Sequence, residues 1–394
     1  MVEWVTEGVS PTLHWKTGFE FELLAPPGTT RRTLADALAA GCGGSVRVVF
    51  HQESELSQVP GTPVFDNLRQ GFEVLDAQGA WLARCVDDSI LQHGLNPQAP
   101  GQPGWFRIVS DDRRLLQLVA RVGRADGTAL DALAPVAALF GTQPELLPGG
   151  LVRITTPDHA PVALAAPLPG ERARGYELIT PPLLLHHAQH INALLGPARA
   201  LGFSLALESA THVHFDAAPL HSAPVFATLV ALLHCWGPTL KWLVQCNPAC
   251  RRLGDWPAAL LEMVAESSFH QLQWPQARAR LQTLGLSKFC DFNLKNVVHD
   301  VPGKPTFEVR VLPGLLTGEA AVASACLFEA LLQRAVQGGA VRGDAEAWAA
   351  PLQPDQQAGA ALLKLLALHP PLHPPLHPPL HQHWLQRLRA LPPP

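Results

Sequence analysis

The sequence predicts an α+β protein whose strands carry the chemistry. One observation is that strand-like and helix-like stretches follow one another without the regular strand–helix–strand alternation of a parallel sheet. A second is a period of two in three short segments, residues 18–23, 211–216 and 306–311. In a strand, residues i and i+2 point to one face. Glu20 with Glu22, His212 with His214, and Glu308 with Arg310 therefore project together, while Phe19, Phe21, Val213, Phe215, Phe307, Val309 and Val311 fall on the opposite side.

Taken in order, residues 17–24 read as the first acidic strand, and 45–50 alternate well enough for another. Residues 71–75 and 80–86, joined by a Gly-containing turn, read as a hairpin that leads into Asp87, Asp88 and Ser89. Residues 91–170 differ in character. They are rich in Pro and Gly, with a helix expected in 127–141 and a strand near 151–154. They hold no reactive constellation, so they read as an inserted subdomain or elaborated loop. Residues 176–180 form a strand stopped by Pro181 and Pro182, and 186–201 have helical spacing. Residues 203–207 alternate and lead into the histidine strand, which predicts a hairpin. A long apolar helix is expected over 222–245, with shorter ones over 257–267 and 275–285. Residues 288–298 are mixed and polar, and a further helix covers 318–337 after the Glu308–Arg310 strand. Near the C-terminus, His-Pro-Pro-Leu repeats at His369, His373 and His377 favour extended polyproline conformation, and its three-residue turn leaves the histidines off any common side. A tether is the simpler reading than a metal-binding tract, and Trp384, Leu385, Leu388 and Leu391 are spaced for a docking helix.

Composition narrows the classes. The 394 residues carry a formal net charge of −4, which gives no reason to expect nucleic acid as a partner. Seven scattered cysteines argue against a disulfide framework and for a reducing compartment. No signal peptide or membrane span is read from the sequence, so a cytoplasmic protein is the expectation. There is no Gly-rich phosphate loop, dinucleotide fingerprint or nucleophile elbow.

Glu20, Glu22, Glu177 and Glu308 come from separate strand-like segments with apolar flanks. Several carboxylates and a histidine on one face are what a hard divalent cation needs, and Mg²⁺ usually keeps waters and substrate phosphates as well. Any one of them alone is more often a solvated strand residue. The pair His212 and His214 also permits a zinc hydrolase, with Asp216 as a further ligand. Arg310 is either the partner of a local ion pair or a permanently charged fork aimed at carboxylate or phosphate.

These motifs, in order, resemble the amidoligase family of carboxylate–amine ligases with the glutamine synthetase-like fold. The resemblance is carried by Gly18-Phe-Glu-Phe-Glu22, Trp81 through Ser89, Tyr176-Glu-Leu-Ile-Thr-Pro-Pro-Leu183, Thr211-His-Val-His-Phe-Asp216, Asn293-Leu-Lys-Asn296, and Thr306-Phe-Glu-Val-Arg310 with Gly314-Leu-Leu316. It covers roughly residues 15–90 and 171–335. It implies a curved antiparallel sheet whose concave, catalytic face holds ATP and Mg²⁺ or Mn²⁺, with helices on the other side. It also implies ATP-dependent joining of a carboxylate to an amine through an acyl phosphate. By matching position, Glu20, Glu22, Glu177, His214 and Glu308 would hold metal or nucleotide phosphate. His212, Lys288 and Asn293 would lie with the nucleotide. Arg310, beside Glu308, would stabilise phosphoryl transfer, and Asp88 and Ser89 would sit at the substrate end.

The implied organisation is a catalytic domain from residues 1–90 and 171–340, the 91–170 insertion at the cleft rim as a cover or substrate-selecting element, and a C-terminal region over 341–394. Two departures stand out. Residues 90–175 separate motifs that normally follow closely, and Lys288-Phe-Cys-Asp-Phe-Asn293 lacks the usual Tyr-Arg lead. The partners expected are a small-molecule or peptide carboxylate and an amine. A non-catalytic nucleotide-binding protein on the same scaffold is the remaining alternative.

Overall fold

A computed structural model describes residues 12–56, 64–299, 304–338, 351–367 and 378–394. The chain runs β1 (Thr17–Leu24), α1 (Arg31–Cys42), β2 (Ser45–Leu56), β3 (Val64–Leu75), β4 (Trp81–Asp87), β5 (Phe106–Val109), α2 (Arg113–Val122), α3 (Ala129–Leu139), β6 (Glu145–Leu147), β7 (Leu151–Thr155), β8 (Pro161–Pro167) and β9 (Gly175–Ile179). There follow α4 (His187–Ala200), β10 (Ala210–Asp216), α5 (Ala223–Val244), α6 (Ala258–Ala265), α7 (Ser267–His270), α8 (Trp274–Gln282), β11 (Phe292–Asn293), α9 (Lys295–His299), β12 (Thr306–Pro313), α10 (Gly318–Val336), α11 (Gln356–Ala367) and α12 (Pro378–Ala390). The architecture is mixed α+β with open antiparallel sheet structure.

The residues fall into two compact units. The first comprises Met1–Glu20, Pro182–Leu195 and Ser209–Pro394. Its strand order is β11-β12-β10-β1. β10 and β12 are antiparallel, with His214 opposite Glu308, and β11 sets Asn293 opposite Glu308 from the other side. Phe215, Phe307, Val309 and Val311 are buried on the apolar face. The long helix α5 packs against β12, α6, α7, α10 and α11. It is long and apolar enough to cross a membrane, but 61% of its most apolar window is buried inside the molecule. Close approach fixes the start of α10. A Cβ at Gly318 would meet the Ala188 carbonyl oxygen at 2.2 Å, so only glycine fits there. Asn192 locks the junction by accepting from Gly318 N at 2.8 Å and donating to Glu319 Oε1 at 2.8 Å.

The second unit comprises Phe21–Pro181 and Gly196–Glu208. Its strand order is β1-β9-β4-β3-β5-β8-β7-β6, with β2 also paired to β3 along its whole length. Residues 91–170 thus sit in the same unit as residues 21–90. β5 pairs with β3 directly, and α2 and α3 cover β3, β7 and β8. Leu68 of β3 shares one buried core with Phe106, Ile108, Leu116, Val136 and Ile154, and Phe50 packs on it.

Several expectations are corrected here. Residues 203–207 alternate but form no strand; Ser204 makes one isolated bridge to Leu24, and Leu205 and Leu207 are exposed. Helix α1 falls where the sequence reading placed no element. The segment 45–50 is half of a longer strand, because β3 offers it a full-length partner. Residues 369–377 of the proline repeat lie outside the described residues. Its last prolines, Pro378 and Pro379, begin α12 rather than continuing an extended chain, since proline is tolerated in a helix's first turn. Trp384, Leu388 and Leu391 are buried as a docking helix requires.

Candidate functional site

Alternation along β1, β10 and β12 explains the first cluster. Phe19 and Phe21 are fully buried on one face of β1, which turns Glu20 to the other. Glu20, His212, His214, Glu308 and Arg310 then meet in the first unit. Glu20 Oε2 lies 3.4 Å from His212 Nδ1, and Glu20 Oε1 lies 3.3 Å from His214 Nε2. Glu308 accepts hydrogen bonds from Arg310 Nη1 at 2.5 Å and from Asn293 Nδ2 at 2.6 Å. Its Oε1 is also 3.7 Å from His212 Nδ1 and 4.0 Å from His214 Nε2. Ligand atoms of Glu20, His214 and Glu308 all lie within 4.8 Å of one another.

The electrostatics follow from burying two carboxylates together. Burial alone would raise both. At Glu20 the charges of His214 and Lys304 overcome it and hold the carboxyl well below its usual range. At Glu308 burial is outweighed by Arg310, then His214 and His212, and its carboxyl is held down to about 2. His214 responds in the opposite sense: burial lowers it, but Glu20 and Glu308 raise it above the ordinary imidazole value. Burial and the Arg310 charge keep His212 below that value, so it stays neutral. A divalent cation bound there would supply, beside Glu20 and Glu308, the positive charge that a proton on His214 would otherwise supply.

The second cluster lies in the second unit. Glu22, Asp88 and Glu177 bring ligand atoms within 4.8 Å of one another. Glu22 comes from β1 and Glu177 from β9, where Val86 of β4 is its register partner; Asp88 follows the end of β4. Asp88 Oδ1 accepts from Ile90 N at 2.9 Å, which fixes the carboxylate.

The donor chemistry of these groups fits divalent cations. Three carboxylates without nitrogen or sulfur suit a hard ion such as Mg²⁺. Two carboxylates and an imidazole suit Mg²⁺ or Mn²⁺ and tolerate softer ions.

Local contacts are also seen for two further sequence candidates. Lys288 lies with Nζ 5.4 Å from the centre of the Phe289 ring. Ser89 is half-buried, its carbonyl accepting from Gln92 Nε2 at 3.4 Å. Two residues not singled out beforehand join the first cluster. Thr306 Oγ1 is 3.2 Å from His214 Nδ1, and Lys304 Nζ is 3.7 Å from Glu20 Oε1. Thr306 was findable, since it stands two residues before Glu308 on the same strand. Lys304 precedes the strand and carried no periodic signal.

Against this geometry, the sequence profile of a family described as putative amidoligase enzyme matches residues 13–332. The chain belongs to the amidoligase family. The match runs from before β1 into α10, so it includes every residue of both clusters and also residues 91–170. No curated protein matches the chain. Family membership supports a ligase role and agrees with carboxylate-rich clusters able to hold a cation.

Proposed function

We propose that this amidoligase-family protein is an ATP- and Mg²⁺-dependent carboxylate–amine ligase acting on an amino acid, a peptide or a protein side chain. One observation carries the reading: β1 presents Glu20 and Glu22 two residues apart, and each belongs to a triad of cation-ligand geometry with two of its three members buried. A carboxylate is a poor electrophile because its leaving group would be oxide. Phosphorylation by ATP gives the acyl group a leaving phosphate, and an amine can then attack the carbonyl carbon. Divalent cations bound to the nucleotide would offset charge on its phosphate oxygens.

In this reading the protein's own residues position and neutralise. Glu20, His214 and Glu308 would hold one cation, and Glu22, Asp88 and Glu177 another. Asn293 holds one oxygen of Glu308 and Arg310 the other, so the ligand's orientation is set before any cation arrives. Arg310 stands beside that position as a permanent positive charge suited to a transferring phosphoryl group. His212, buried and neutral against Glu20, fixes that carboxylate from the side. No serine or cysteine nucleophile is required.

The test is an ADP-release screen of the purified chain with Mg²⁺, ATP and pooled amino acids, polyamines and peptides. Acceptor-dependent ADP release with formation of an amide product supports the reading. Tightly held stoichiometric zinc with hydrolytic activity, and no ADP release from any pool, would overturn it.

A further inference from the structure

Beside Asp88 the second unit buries an ion cluster that the ligase chemistry does not itself call for. Asp87 is fully buried, and three arginines converge on it. Arg31, at the start of α1, donates from Nη1 to Asp87 Oδ1 at 3.1 Å and to the Arg172 carbonyl at 3.0 Å, and from Nη2 to the Gln70 carbonyl at 3.3 Å. Its guanidinium also lies 4.3 Å from the Trp105 ring centre. Arg69 of β3 pairs with Asp87 Oδ2 and donates from Nε to Asn67 Oδ1 at 2.9 Å. Arg172 has Nη2 3.4 Å from both Asp87 oxygens. The same nitrogen donates to the Asp88 carbonyl, while Nη1 donates to the Leu91 carbonyl at 2.7 Å.

Stability alone is a weak reason for such a cluster. Taking several charges out of water is expensive, and buried ion pairs are often replaceable by apolar packing with no loss. What an apolar substitute cannot do is hold backbone carbonyls at fixed points. Arg172 holds the Asp88 and Leu91 carbonyls, one on each side of the 89–90 turn. The Ile90 amide, inside that turn, holds the Asp88 carboxylate. Arg172 is in turn held through its side chain by Asp87 and through its carbonyl by Arg31.

We propose that Asp87 and Arg172 are positioning residues for the Glu22–Asp88–Glu177 triad: the buried Asp87–Arg31–Arg69 pairing fixes Arg172, and Arg172 fixes the turn that aims the Asp88 carboxylate. The proposal rests on the reading of that triad as a divalent-cation site. Partners bonded directly to a metal ligand typically change metal affinity by about 10- to 100-fold when lost; Arg172 acts one step further out, through the Asp88 backbone, so the lower end of that range applies.

The experiment is Mn²⁺ titration of the full chain, followed by calorimetry and by the Mn²⁺ paramagnetic signal, in the wild type and in R172Q, R172K, D87N and D88N. Thermal unfolding of each apo protein is recorded alongside. The expected result is a site lost in D88N and weakened about 10-fold in R172Q. R172K, which keeps the charge without the fork, falls between wild type and R172Q. D87N weakens the same site while leaving its ligands intact. Unchanged Mn²⁺ affinity in folded R172Q or R172K overturns the positioning role while leaving the cation site standing. A wild type with no Mn²⁺ site sensitive to D88N overturns the cation reading itself, and the positioning role with it. R172K removes only the planar fork from a partly exposed side chain, so it keeps the test open should R172Q or D87N fail to fold.

Discussion

Replacing Glu308 by Gln separates charge from packing, because the change removes one charge and almost no volume. The carboxylate is buried and accepts from Asn293 Nδ2 and Arg310 Nη1. An amide turned either way sets its own NH₂ against one of those donors. Loss of one charge-assisted bond of this kind costs about 1.5–3 kcal/mol. Linkage gives a similar figure. Burial would raise Glu308, but Arg310, His214 and His212 hold it down to about 2, against 4.5 for the unperturbed group. A depressed carboxyl contributes stability above its unfolded value and loses it as pH falls toward the folded one; the contribution here is about 3 kcal/mol at neutral pH. E308Q should therefore remain folded yet be less stable than wild type by about 2–3 kcal/mol at pH 7. The gap should narrow by about 1–1.5 kcal/mol at pH 3.5, where the unfolded wild-type carboxyl is already protonated. Urea unfolding of both proteins in EDTA across that range measures it, and Mg²⁺-dependent ADP release should be lost in the same variant. Equal stabilities at pH 7, or a gap that ignores pH, would refute the assigned electrostatics. Unaltered ADP release would refute the ligand role.

Trp384→Ala empties a fully buried site on α12 and should cost about 3–5 kcal/mol in urea unfolding, with nucleotide affinity retained; an unchanged midpoint would show that α12 is not docked. The double variant H373Q/H377Q, in the proline repeat, should keep full activity, and a large loss would place the repeat in the site. Replacing residues 97–169 by a short Gly/Ser linker should alter acceptor use while nucleotide affinity stays within a few-fold. It should also lower stability, because β3 loses β5 as a partner and Leu68 and Phe50 lose their cover. Loss of nucleotide binding in a variant that is still folded would count against a substrate-selecting role.

What was legible in the sequence was what period two can encode. Glu20, Glu22, His212, His214, Glu308 and Arg310 stand opposite phenylalanines and valines in short strands, so one face had to be apolar and the other reactive. The same rule misled at residues 203–207. Alternation makes a strand only where a neighbouring strand offers its backbone, and among the described residues this segment makes an isolated bridge from Ser204 to Leu24. Helix α1 was legible too, since Leu34, Ala35, Leu38 and Ala39 recur at helical spacing among alanines and Gly43 ends the run in the left-handed region. The arginine cluster was out of reach. Arg31, Arg69 and Arg172 sit on a helix start, a strand and a loop, and nothing local distinguishes a buried arginine from the usual solvated one. Their burial is decided by Asp87, whose own position at the end of β4 is set by pairing with Tyr176.

That dependence also accounts for the long interval between the Asp88 and Glu177 motifs. The chain departs after Ser89, builds α2, α3 and strands β5 to β8, and returns at Glu171. The two ends are closed on each other. Asn96 N donates to Glu171 Oε2 at 2.9 Å, and Glu171 N donates to the Asn96 carbonyl at 3.2 Å. Just outside this clasp, Arg172 reaches back to Asp87, Asp88 and Leu91, and Arg174 donates to the Ala25 carbonyl beyond β1 at 2.9 Å and to the Gly94 carbonyl at 3.1 Å. Loop-closure entropy grows only slowly with length, so a clasped excursion of this size adds little to the cost of bringing its ends together. A triad drawn from β1, the end of β4 and β9 can thus tolerate a long interruption of its sequence order, provided that the residues flanking the interruption are the ones that hold the ligands in place.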